Sequence, residues 1–197
     1  NDVLKEDRVA ALMKRSALLR NAVNRSSNQD LEARVAMARV SCDLNLRYAL
    51  PLDRAKILNA LKGMTEEMIR GNAFDIARAC RSLTEGNDGQ AERYLAKHIK
   101  AKDVEALQLG VLTAASKSDK ELLEQRREMA LEAGGPGYVE RTNFTAGAAY
   151  ERMNAYAEAR VAYAKVTDGD STRADAWLGQ SRAAWMLIKD IDPRELN

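Results

Sequence analysis

Side chains able to do chemistry are few and scattered. His98 is the only histidine in the chain, so no second imidazole helps it hold a metal ion. Its position beside Ile99 on a predicted helix suits a surface or half-buried role better than proton transfer. Asp168-Gly169-Asp170-Ser171-Thr172 resembles a calcium loop superficially, but EF-hand spacing needs glycine at Arg173 and glutamate at Gly179. Thr172 and Asp175 fit a helix N-cap instead. The chain contains no G-x-x-x-x-G-K-[ST], no H-E-x-x-H and no G-x-S-x-G, the spacings that build a phosphate cradle, a zinc protease helix or a nucleophile elbow. Asn24-Arg25-Ser26 and Asn143-Phe144-Thr145 match the glycosylation acceptor, although Asn143 falls on a predicted packed helix. Cys42 and Cys80 lie 38 positions apart without C-x-x-C spacing, which argues against a zinc ribbon or a redox pair. Two buried reduced thiols are the expected state. The alternative is one disulfide joining two helices, which requires an oxidising compartment. The expectation is a chain that is not an enzyme and takes no cofactor or metal.

Composition narrows the partners. The 197 residues include 31 Lys plus Arg against 29 Asp plus Glu, a net charge of +2, so no strong field favours nucleic acid or an anionic membrane. The charged runs at 78–93 and 117–127 alternate in sign, as solvated helix faces do. Mean hydropathy is −0.45, and no run of roughly 18 uncharged residues could span a bilayer. No membrane insertion by the chain itself is expected. The sequence opens on Asn1, so a processed or trimmed N-terminus is expected, with any signal peptide or lipid anchor upstream already gone.

The elements that must position these residues are helices. Only 3 Pro, 11 Gly and 5% aromatic residues interrupt a chain rich in Ala, Leu, Glu, Arg and Lys, the residues that cost least in a helix. Apolar spacing predicts helices over 3–23, from 31, from Pro51 to about Leu61, and over 65–85, 90–101, 104–115, 119–133, 138–153, 155–167 and 173–189. Ser27 with Asp30 suits a capped start before Leu31, and Ser118 with Glu121 has capping-box spacing. Gly63 permits a turn, and Gly134-Gly135-Pro136-Gly137 is the strongest breaker, a candidate hinge. The expected organisation is an N-terminal helical segment, 1–62, packing on a repeat region, 63–197, that ends in a capping helix.

Short paired helices prompt a search for a fixed period. Gly147, Tyr150, Ala159 and Tyr163 reproduce the small, aromatic, alanine and aromatic positions of the tetratricopeptide repeat. A step of 34 carries Gly147 to Ser181 and Asn143 to Trp177, so Ala176-Trp177-Leu178-Gly179 looks like the opening of another unit. Stepping back by twice that period carries Ala159 to Ala91 and Asn154 to Gly86, while Leu109-Gly110 looks like a first-helix signature offset to a spacing of 37. On these residues, 72–189 resembles the tetratricopeptide repeat family, departing from it by lacking the inter-repeat proline, with Asp103 and Ser171 in that region.

The resemblance implies an all-α fold of antiparallel helical hairpins stacked as a right-handed superhelix. It also implies a concave face lined by the first helix of each pair. That face projects onto Ile76, Cys80 and Leu83, then Leu107, Val111 and Ala114, then Arg141, Phe144 and Glu151, then Leu178, Arg182 and Trp185. Phe144, Trp185 and Arg182 are residue types that anchor interfaces. The expected protein-binding groove is therefore Leu107, Val111, Arg141, Phe144, Glu151, Leu178, Arg182 and Trp185, taking an apolar or helical segment of a protein partner. Filling of that face by the chain's own N-terminal helices or its C-terminal tail is the structural alternative. The functional expectation is a non-enzymatic adaptor that assists assembly of a multiprotein complex, similar to processed bacterial envelope proteins of pilus or secretion systems, in the periplasm at the outer membrane. Alternatives are a cytosolic export chaperone shielding a client segment, against which a Cys42–Cys80 disulfide would count, and an accessory helical domain of a larger enzyme. The last arises because Asp192-Pro193 stands where a partner helix would be expected.

Overall fold

A computed structural model describes residues 6–25, 30–46, 60–64 and 72–189. Nine α-helices run through them: α1 (Glu6–Arg25), α2 (Leu31–Leu46), α3 (Asn72–Glu85), α4 (Asp88–Lys100), α5 (Val104–Ser116), α6 (Lys120–Gly134), α7 (Val139–Arg152), α8 (Tyr156–Gly169) and α9 (Ala174–Ile188). The expected helix from Pro51 to about Leu61 lies almost entirely outside the described residues, as do 65–71. Each helix packs on the next described one in sequence. In addition α3 touches α5, α5 touches α7, and α7 touches α9.

Four of the turns share one construction. Gly86, Lys102, Ser118 and Asn154 each adopt a left-handed φ, between 54° and 76°. The N–H of each donates three residues back, and that of the next residue five residues back, as Asn87 does to the Ser82 carbonyl at 2.8 Å. This satisfies the last carbonyls of the helix just ended. At the first three turns the following residue also opens the next helix, with the Asn87, Asp103 and Asp119 side chains accepting from the N–H three residues on.

Two expected caps are corrected here. Ser118 holds the left-handed position, so Asp119 is the cap. Thr172 and Asp175 form no cap pair: Arg173 stands at the N-cap, its side chain making no bond to the helix's first N–H groups, and Asp170 accepts from the Thr172 N–H at 3.0 Å and hydroxyl at 2.7 Å. Asp30 does cap α2, accepting from the Ala33 N–H at 2.8 Å. The Gly-rich breaker becomes a 3-10 turn, Pro136–Tyr138. A Cβ on Gly134 would lie 2.6 Å from that of Tyr138, so this is a packed corner rather than a loose hinge.

Cys42 and Cys80 form a disulfide, with Cα atoms 5.7 Å apart, where two reduced thiols were expected. Both are buried either way; the approach of α2 to α3 decides the outcome, and sequence spacing carries no such distance. The main core runs from Cys42 on α2 to Ala183 on α9. A second cluster joins Val35 and Ala38 of α2 to Ala60, Leu61, Phe74 and Ala77, with Arg34 donating to the Ala60 carbonyl at 2.8 Å.

Candidate functional site

The junction of α7, α8 and α9 is built around one ring. A Cβ added to Gly147 on α7 or to Gly179 on α9 would lie 2.7 Å from Tyr163 on α8. Both backbones therefore touch the ring directly, and only glycine fits on either side. The Tyr163 hydroxyl donates to Glu151 at 2.8 Å, and Glu151 accepts two bonds from Arg182 at 3.1 and 2.9 Å. Burial, then Glu151, pushes the Tyr163 phenol well up, and Glu151 raises Arg182 further above its ordinary value. The network links a core aromatic to the surface of α9.

Residues of the expected groove separate into two groups. Leu107, Val111 and Phe144 are buried, which corrects the expectation that they line an open face. Ala106–Ala115 of α5 are buried on every side, because that helix carries no charge after Glu105, satisfies Gln108 and Thr113 with side-chain hydrogen bonds, and is enclosed by α3, α4, α6 and α7. Phe144 packs edge-on to Tyr163, with ring centroids 5.4 Å apart. Arg141 is half-buried. Leu178 and Trp185 are 61% and 64% exposed, with Arg182 exposed between them and Glu151 half-buried beneath. Ile188 and Trp177, 52% and 47% exposed, extend this surface.

Three buried ion networks escaped the sequence reading. Arg173, 1% exposed, pairs with Glu140, donates to Asp175 at 2.7 and 2.6 Å, and places its guanidinium 5.1 Å from the Phe144 ring centroid. Arg126 pairs with Glu92 and donates to the Gly110 carbonyl at 2.8 Å and the Thr113 hydroxyl at 2.7 Å. It lies against Gly110 at the interval that separates Tyr163 from Gly147. His98, for which no partner was evident, meets Asp75 at 2.8 Å, and Lys97 meets the same carboxylate oxygen at 2.7 Å. Burial pushes the Asp75 and Glu92 carboxyls up, but Lys97 and His98 at one, Arg126 and Thr113 at the other, hold both below their ordinary values.

Among the described residues no group of three or more His, Cys, Asp or Glu could hold a metal ion, and no helix is long and apolar enough to cross a membrane. A groove of about 300 Å³ between α6 and α8 is lined by Tyr150, Val161 and Ala162 together with Glu124, Arg127 and Lys165. Comparison with protein-family models, with curated proteins and with solved structures gives no match to this chain.

Proposed function

We propose that this chain is a non-catalytic, tetratricopeptide-like interaction protein of an oxidising compartment, assisting assembly through the outer face of α9. The observation that carries the reading is the exposure of Leu178 and Trp185 on either side of Arg182, while the opposite face of the same helix packs through Ala176, Gly179 and Ala183. Large apolar side chains grouped on one exposed helix face mark an interaction surface, and such a face takes an apolar helical segment. The repeated turn construction and the contacts of α3, α5, α7 and α9 in series support the helical-hairpin reading. The Cys42–Cys80 disulfide favours a periplasmic envelope protein over a cytosolic export chaperone.

Affinity capture from native cells tests it, comparing the wild-type chain with a Leu178→Asp, Trp185→Glu variant of unchanged circular dichroism and melting. Loss of a defined protein, from either an unlike partner or a second tagged copy, is expected. Persistence of every partner on the variant refutes the α9 face as the contact surface.

A further inference from the structure

We infer that the segment on the outer face of α9 is α9 of a second copy of this chain, packed antiparallel about a two-fold axis near Ser181; the inference rests on reading that face as the contact surface. Ala174, Leu178, Ser181, Trp185 and Ile188 recur at alternating steps of four and three residues, the seam of two helices packed side by side. All five are exposed.

The fold itself indicates that a helix belongs there. At Gly110 on α5 and Gly147 on α7, a small residue lets the following helix lay a large side chain, Arg126 or Tyr163, against the backbone. Ser181 follows Gly147 by one 34-residue period and is the small residue of α9's open face. α9 thus carries a first-helix surface that the described helices leave uncovered.

Self-complementarity indicates a second copy. Antiparallel packing centred between Ser181 and Arg182 places Trp185 of each copy over Leu178 of the other and sets the small Ser181 at the crossing. Asp175, Arg182 and Lys189 occupy one flank of the seam. In an antiparallel pair like flanks meet, which brings Lys189 beside the Asp175–Arg173–Glu140 cluster of the other copy, with its two carboxylates to one guanidinium, and sets the two Arg182 side chains, each paired with its own Glu151, across the axis. A parallel pair would set that flank against Trp177 and Ala184 and give Lys189 no acidic side chain across the seam. Such an interface is isologous and closes at two copies.

Sedimentation equilibrium of the whole chain at about 100 µM, above the micromolar range expected for a short helix pair, is expected to give twice the 21.8 kDa monomer mass. Leu178→Asp or Trp185→Glu is expected to weaken dimerisation about 30-fold or more without changing the melting curve of the dilute monomer. Under mild oxidation Ser181→Cys is expected to form a covalent dimer that Arg160→Cys, exposed on α8, does not. A monomeric wild-type chain, or a dimer indifferent to both substitutions, overturns the inference. If the monomer captures an unlike protein through Leu178 and Trp185, the contact surface stands and the second copy falls. If Trp185 of the monomer becomes accessible to acrylamide only after removal of 190–197, those residues are the cover and the inference falls. If no association of any kind depends on these side chains, the contact-surface reading falls with it.

Discussion

Gly147→Ala removes a helix-weakening residue yet should destabilise the protein. In an unconstrained helix interior the change is worth about 0.8–1 kcal/mol in favour of alanine. Here the new Cβ meets the Tyr163 ring at 2.7 Å, and the opposite side of the same ring lies at that distance from the Cβ position of Gly179. The ring has no direction in which to retreat, and its hydroxyl is held by Glu151 at 2.8 Å. Overpacking of a closed core costs about 1–3 kcal/mol, so a net loss of about 1 kcal/mol remains after the helix gain. Gly89 on α4 is the internal control: nothing lies within 4 Å of its Cβ position, and Gly89→Ala should gain about 0.5 kcal/mol near the helix start. Urea unfolding followed by circular dichroism measures both. Adding Tyr163→Leu should turn the Gly147→Ala effect from unfavourable to neutral or better, because the branched side chain can withdraw. If Gly147→Ala stabilises as Gly89→Ala does, Tyr163 is not wedged between the two helices and the description of this junction is wrong.

Three further outcomes follow from the geometry. Closing a loop of 38 residues corresponds to about 4 kcal/mol of unfolded-state entropy, so a Cys42→Ser, Cys80→Ser variant should lose roughly that stability in urea, and the wild-type chain should show no free thiol when denatured without reductant. Phe144→Ala should cost about 3–5 kcal/mol as a core cavity, whereas Trp185→Ala in the isolated monomer should change stability by less than about 0.5 kcal/mol; equal effects in thermal unfolding would contradict their placement. Asp75 and Glu92 have folded pKa values below their ordinary 3.8 and 4.5, so their stabilisation is complete above that range and disappears as pH falls through the folded values. A pH series of unfolding free energies should decline below about pH 4.5, and Glu92→Gln should flatten that limb.

Helix positions were legible because apolar periodicity and turn residues agree. Gly86, Asp103 and Gly135 stand at breaks the chain needs, and the predicted ends of 104–115 and 119–133 fall within a residue or two of α5 and α6. Caps were legible only approximately: Ser118 and Asp119 are both good capping types, and the left-handed backbone at Ser118 decides between them. The groove projection failed at Leu107 and Val111 because a repeat register says which residues share a face, not whether that face is open. A signal was present, since no charge follows Glu105 within α5, as in a helix buried on all sides. The period pointed from Gly147 to Ser181, but Tyr163 also touches Gly179, a contact between successive hairpins that a within-repeat pattern does not carry. Arg173 was beyond reach: its acidic partner Glu140 is distant in sequence, and only the packing of α7 near the start of α9 brings them together.

Amide hydrogen exchange across residues 174–188, followed at dilute and at concentrated protein, tests most directly whether the outer face of α9 is where this chain associates. Exchange in that segment should slow as concentration rises while α3–α6 remain unchanged, and Trp185→Glu should abolish the difference. Exchange in α9 that is independent of concentration, or protection that arises elsewhere and survives the substitution, would contradict the account.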